Sequence, residues 1–177
     1  MKVKILEEHG YESALVGLSL SYDQDPAKMS KVALRLCFRS EGHNKFLESV
    51  VLWLDIRAPR YFWQQFDTYR VGVTKQSQST MHTMTARPLE QSDFAHPIPE
   101  NHLEHLNRLI KAGDWEEVKH DLPESFEQRR IVSMNYMALQ RMIRQRETHR
   151  MAEWRAFIDA ILAQAAHPEL LKEDDAA

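Results

Sequence analysis

The chain contains a single cysteine, Cys37, in 177 residues, so neither an internal disulfide nor a cysteine-based zinc cluster can form. It has no apolar run near the roughly 18 residues that a membrane span requires. The opening MKVKILEEHG carries lysines but no apolar stretch behind them, which does not fit a signal peptide. Charge of one sign is also missing. The formal net charge is −3, so no global basic field draws the chain to nucleic acid. Repeats and low-complexity tracts are absent. These absences point to a cytoplasmic protein without membrane or nucleic-acid partners.

What is present fits one domain over residues 1–177, 43% hydrophobic and 28% charged, long enough to bury a core. Residues 3–6 and 14–20 read as short strands, with Gly10 in the turn between them. Asp25-Pro26 is a helix start. Met29, Val32, Ala33, Leu36 and Cys37 follow at helical spacing, which places the Cys37 thiol on a buried face. Gly42-His43 breaks that helix. Residues 50–54 are apolar on both faces, as in a central strand covered by helices, and Pro59 ends the strand near Ala58. Residues 87–99, with three prolines, form a connecting loop. Leu103, Leu106, Leu109 and Ile110 mark a helix closed by Gly113, and a short helix spans 115–120. Long helices are predicted over 124–147 and 151–165, the latter with Trp154, Phe157, Ile158, Ile161 and Leu162 buried. The acidic tail 172–177 frays. Strands early and helices late predict α+β, a small, mainly antiparallel sheet packed by several helices.

The stretch from Leu54 to His82 organises the rest. A strand turns at Ala58-Pro59 into a helix-spaced segment in which Phe62, Gln65, Phe66 and Tyr69 share a face. A loop of Thr, Gln, Ser, Lys and His then follows. Gln65 on that face is either satisfied internally or aimed at a ligand. Hydrogen-bonding groups delivered by rigid elements suit a ligand site, and equally suit a solvated loop.

Arginines gather around this stretch (Arg57, Arg60, Arg70) and on the predicted late helices (Arg129, Arg130, Arg141, Arg144, Arg146, Arg150, Arg155). Guanidinium groups hold planar anions by paired hydrogen bonds, so the set suits phosphate. Surface pairing with Glu124, Glu127, Glu147 and Glu153 is the alternative, and it is the reading taken for Arg144 and Arg155. His102 and His105, one helical turn apart, lack a third ligand at motif spacing, so they are read as solvated or capping residues and no metal is expected. Ser77 and Ser79 have only His82 as a nearby base, a weak pairing without a nucleophile elbow.

The order GHNKFLES, WLDIRAP, Gln65 with an aromatic and Arg70, KQSQSTMH, then RRIV and MNYMALQRMIRQRETHRMAEW resembles the flavin-dependent thymidylate synthases, most of all the short, divergent forms carried by phages. His43 and Glu48 fall on the His and second Glu of the family's Gly-His-Glu-Thr-Pro-Phe-Glu-His block, and Arg57-Ala58-Pro59 on its Lys-Ala-Pro. The family's Arg-His-Arg triplet becomes Thr68-Tyr69-Arg70. Gln76 stands where the family has Glu. Ser79 matches the substrate-contacting Ser if one residue is inserted, and otherwise Gln78 takes its place. Thr80, Met81 and His82 replace the Arg-Tyr end. Arg130-Ile131-Val132 matches the segment whose Arg reaches a neighbouring subunit's nucleotide phosphate. Asn135 matches a flavin-contacting Asn, and Arg146 an Arg that binds nucleotide. A second flavin-contacting Asn becomes Arg141.

The resemblance implies an α+β protomer in a homotetramer whose sites lie between subunits. It implies FAD as cofactor, a pyrimidine deoxynucleotide such as dUMP as substrate, and methylenetetrahydrofolate and NADPH as co-substrates. Carried over by position, Gln65, Arg70, Ser79 and Arg146 are the catalytic candidates. Gln65, Gln76, Ser79, Arg130 and Arg146 bind substrate, and His43, Lys45, Glu48, Tyr69, Arg70 and Asn135 bind cofactor. Tyr69 can still stack on a ring, and Thr68 can still donate a hydrogen bond. Three readings stay open at this point: an active enzyme, a catalytically silent nucleotide-binding protein that kept the fold, and a plain structural protein.

Overall fold

The computed structural model describes residues 1–84 and 86–173. In chain order the elements are β1 (Lys2–His9), α1 (Tyr11–Leu20), α2 (Ser30–Leu36), β2 (Val51–Pro59), α3 (Arg60–Phe66), β3 (Val73–Ser77), α4 (Thr80–Thr83), α5 (Glu100–Ala112), α6 (Trp115–Asp121), β4 (Glu127–Asn135), α7 (Tyr136–Arg146) and α8 (Ala152–Leu162). The four strands form one antiparallel sheet in the order β1-β2-β4-β3. The predicted α+β class holds.

Alternation along β2 decides where the core lies. Leu52, Leu54, Ile56 and Ala58 point inward and are fully buried, with Leu52 and Leu54 facing Met134 and Val132 of β4. Helices α3, α7 and α8 cover this inner face, where Phe62, Phe66, Trp154 and Phe157 form a mutually packed ring cluster. Val51, Trp53, Asp55 and Arg57 alternate onto the outer face, and Trp53 stays 37% exposed. The expected burial of β2 on both faces is therefore corrected: the strand is central, but this chain covers only one of its faces. Asp55 and Arg129 pair across the outer face with two hydrogen bonds, at 2.8 and 2.7 Å.

Two further expectations fail for the same reason, that a short apolar run does not choose its own period. Residues 14–20, predicted as a strand, belong to α1. Gly10, at φ 94°, turns the chain, and α1 buries Ala14, Leu15 and Ser19 at helical spacing. Residues 127–135, predicted as helix, form β4, with Val132 and Met134 inward and Ile131 and Ser133 less buried. Pairing with a strand on each side outweighs local helix propensity there. Arg129 and Arg130 thus lie on a strand, and the late helix begins only at Tyr136.

Other predictions agree. Asp25 caps a short 3-10 turn at Pro26, accepting from the Ala27 N–H at 3.0 Å, and Met29, Val32, Ala33, Leu36 and Cys37 are buried. Burial pushes the Cys37 thiol up to about 11. Gly113 closes α5 in left-handed conformation. Helices α5 and α6, with the 86–99 connection, enclose a second small core of Met84, Leu89, Phe94, Leu103, Leu106, Val118, Leu122 and Phe126. No helix among the described residues is long and apolar enough to cross a membrane. Residues 174–177 of the tail expected to fray lie outside the described residues.

Candidate functional site

Helix α3 begins directly at Pro59 and buries Phe62, Trp63 and Phe66, which turns Gln65 and the following Tyr69 toward α7 and α8. The Trp154 indole N–H donates to Gln65 Oε1 at 2.8 Å, and Gln65 Nε2 faces Met151 Sδ at 3.0 Å. Arg146, at the end of α7, donates from Nε to the Tyr69 hydroxyl at 2.9 Å, and that hydroxyl donates in turn to Gln145 Oε1 at 3.0 Å. The Arg146 guanidinium carbon sits 4.9 Å from the Trp154 ring centroid and 5.6 Å from that of Tyr69. Gln65, Tyr69 and Arg146 therefore meet at one corner. Trp154, which sequence reasoning placed in the core stripe, ties them together. The available signal was that a buried indole N–H must find an acceptor.

Arg70 stands apart from this corner. It lines a shallow cleft of ≈ 260 Å³ with Glu48, Gly72, Ser133 and Asn135, at the end of the sheet's outer face. Asn135 caps α7, accepting from the Ala138 N–H at 2.9 Å, and its side chain packs so closely on Gly72 that a Cβ there would approach its amide to 2.7 Å. Arg70, a catalytic candidate alongside Gln65 and Arg146, thus does not join their corner within one chain.

A larger cleft of ≈ 490 Å³ adjoins the first through Glu48, which lines both. Its floor includes Phe38, Met137 and Leu171, and Lys45, Arg141 and Arg144 stand around it. Met137, Gln140, Arg141 and Arg144 recur at helical spacing, so one face of α7 serves this cleft and Arg146 turns to another. His43 is exposed between the lining residues Gly42 and Asn44.

Arg130, proposed from sequence for a nucleotide phosphate, is held within its own chain. Its Nη1 donates to both Asp67 oxygens at 2.9 and 3.0 Å, its Nε and Nη2 donate to Gln128 Oε1, and it stacks 4.4 Å from the Trp63 ring centroid. Lys75 also bonds Asp67, at 3.1 Å. The loop expected to carry Gln76 and Ser79 is in part strand. Gln76 lies on β3, exposed and opposite Ile131, and Ser79 caps α4 by accepting from the His82 N–H at 3.4 Å. His102 and His105 both turn to Asp121.

The arginines around the sheet and the clefts divide by partner. Arg57 bonds Glu127 and Asp93, Arg60 pairs with Glu124, Arg129 with Asp55, and Arg130 with Asp67. Arg70, Arg141, Arg144 and Arg146 have no carboxylate within ion-pair distance among the described residues, and each lines a cleft or the Gln65 corner. Sequence reasoning took Arg144 for a paired surface residue and Arg141 for a plain departure. Their shared helix face was the missed signal. Glu48, Glu147 and Glu173 also line the larger cleft, so its apolar residues and the unpaired cations Lys45, Arg141 and Arg144 fit a flat ring system with phosphates only on the side of those cations.

The sequence model of the Thy1 family, described as thymidylate synthase complementing protein, matches residues 11–169. No curated protein matches the chain. Among solved structures, the flavin-dependent thymidylate synthase ThyX of Helicobacter pylori, complexed with FAD and dUMP, superposes with a TM-score of 0.82 at 17% identity, covering 98% of this chain and 99% of that one. A second structure of the Helicobacter pylori enzyme with FAD and dUMP gives 0.82 at 16% identity, covering 98% of each chain. At these identities the likeness shows the fold.

Proposed function

Because this chain belongs to the Thy1 family, the flavin-dependent thymidylate synthases, we propose that it binds a pyrimidine deoxynucleotide such as dUMP at the Gln65–Tyr69–Arg146 corner and FAD along the two clefts that share Glu48. The reaction is reductive methylation at the pyrimidine C5, with methylenetetrahydrofolate as carbon donor and NADPH as reductant. Arg146 carries this reading. Half-buried on two aromatic rings, it has no carboxylate partner among the described residues, and a desolvated cation costs stability until a counter-ion arrives. The anion belongs to the ligand.

The chain's own residues divide the work. Arg146 and Gln65 hold acceptor oxygens of the nucleotide. Lys45, Arg141 and Arg144 neutralise cofactor phosphates, while Phe38 and Met137 offer apolar contact. Asn135 and Arg70 supply donors at the outer-face end, where Glu48 joins the clefts. A reduced flavin held by these residues would supply hydride, which leaves positioning and charge stabilisation to the chain itself. Both clefts are open in one chain, and the outer sheet face leaves Trp53 uncovered. We therefore place the complete site between copies of the chain, as a tetramer would.

One observation favours the silent-binder reading. Positions 68 and 69, Arg and His in the resembled triplet, are taken up locally here: the exposed Thr68 hydroxyl donates to the Gln65 carbonyl at 2.7 Å and Tyr69 is spent on Arg146 and Gln145. Titration with dUMP and with FAD, followed by an assay for thymidylate with both co-substrates, separates the two. Nucleotide and flavin binding with turnover supports the enzyme; nucleotide binding without turnover supports the silent binder. Binding of neither at millimolar concentration removes both.

A further inference from the structure

We infer that Tyr69 and Trp154 are positioning residues that turn Arg146 and Gln65 into a corner presenting only hydrogen-bond donors, selective for acceptor oxygens of a ligand. The inference rests on the nucleotide-binding reading above.

The hydrogen-bond chemistry sets each orientation. An indole N–H can only donate, so the Gln65 atom facing Trp154 at 2.8 Å must be its carbonyl oxygen. The amide nitrogen is thereby turned to the other side. There it meets Met151 Sδ, a weak acceptor that a ligand oxygen readily displaces. Guanidinium Nε can also only donate, so the Tyr69 hydroxyl accepts from it and spends its own proton on Gln145. With Nε satisfied and the flat group stacked on Trp154, the two terminal nitrogens of Arg146 keep their protons for a ligand. Trp154 is fully buried, so its ring fixes both donors from one rigid point.

Such a corner takes a phosphate or a ring carbonyl and rejects a group that itself donates, because two opposed donors leave both unsatisfied. Tyr69 occupies a position where the resemblance suggested stacking on a cofactor ring. Its geometry instead assigns it to Arg146.

The test is calorimetric titration with dUMP and with uncharged deoxyuridine. The proteins are the unaltered protein, Tyr69→Phe and Trp154→Phe, each substitution also combined with Arg146→Ala or Gln65→Ala respectively. Both single substitutions keep a ring, and thermal melts report whether they fold. The expected result is about tenfold weaker binding for each single variant, with no further loss when its partner is already Ala. Loss with dUMP alone identifies the oxygen as phosphate, and loss with both ligands identifies it as a ring carbonyl; either supports the inference. Unchanged affinity in folded Tyr69→Phe and Trp154→Phe overturns it while leaving the nucleotide-binding reading intact. So does a loss of equal size in the Ala backgrounds, which would mark the rings as structural only. Failure of the unaltered protein to bind either ligand removes the nucleotide-binding reading and the inference together.

Discussion

Arg146 Nε meets the Tyr69 hydroxyl at 2.9 Å, at the junction of three elements far apart in sequence: the end of α3, the end of α7 and the start of α8. A guanidinium held by its inner nitrogen and stacked on rings is aimed outward with both terminal nitrogens. Lysine cannot reproduce that, having no planar fork to stack and no second donor at fixed spacing. Arg146→Lys should therefore weaken dUMP binding nearly as much as Arg146→Ala, by roughly 10- to 100-fold, the scale of a hydrogen bond to a charged group. Each substitution should cost the free protein only modestly, through the lost Tyr69 hydrogen bond and ring stacking, because no ion pair is broken. Retained binding in Arg146→Lys would place the anion elsewhere.

Gly72→Ala tests the outer-face cleft. Gly72 has φ +71°, where a side chain costs about 1–2 kcal/mol, and the added Cβ would come within 2.7 Å of the Asn135 amide. Displacing Asn135 also removes the α7 cap, worth about 1 kcal/mol. The sum is about 2–3 kcal/mol of stability. Gly42→Ala, at φ +82° but in open space, should cost only the backbone share. Urea unfolding of the two variants measures the difference, and equal costs would show that Asn135 moves aside freely.

Asp93 anchors the second core to the sheet. It is 4% exposed and bonded by Arg87, by Arg57 and by the Glu90 N–H. Burial works to raise its carboxyl, but the hydrogen bonds from Arg87 and the Glu90 N–H, with the charges of Arg87 and Arg57, outweigh it and hold the group below the usual range. A depressed folded value means that stability from Asp93 is complete above the unfolded value, about 3.9, and is lost as pH falls through the lower folded value. Melting temperature should thus fall steeply below about pH 4, and Asp93→Asn should flatten that part of the profile at a cost of about 1–3 kcal/mol near neutral pH. An unchanged acid profile in Asp93→Asn would assign acid lability to another carboxylate.

How much of this was legible follows from how local each feature is. The Asp25-Pro26 start, the Gly113 stop and the α8 stripe are written within a few residues, and all three agree with the structure, save that Leu162 of the stripe is only half-buried. Strand β4 was not, because Arg130 to Met137 is compatible with either period until β2 and β3 supply partners. The site shows the same divide. Gln65, Tyr69 and Arg146 were singled out by position along a resembled pattern, whereas the Trp154 contact that joins their corner spans 89 residues. Arg130 shows the converse: its partner Asp67 lies 63 residues away, and nothing in the Arg-Ile-Val segment announces that pairing.

Strand β2 is central, yet its outer row of Val51, Trp53, Asp55 and Arg57 is only partly buried, and the cleft of Glu48, Arg70 and Asn135 opens beside that row. A large aromatic left 37% exposed at the middle of a sheet is costly in water and suited to packing against a second copy. If the flavin site is completed there, association and cofactor binding are linked, since a ligand that binds only the assembled state stabilises it by mass action. Light scattering should then give a multiple of 20.8 kDa, fourfold for a tetramer, at micromolar concentration. Trp53→Glu should release monomers that keep the fold by circular dichroism but no longer show flavin absorbance after stripping and reloading with FAD. A monomer that loads with flavin as the unaltered protein would show that one chain makes the whole site, and the outer face would then need a different explanation.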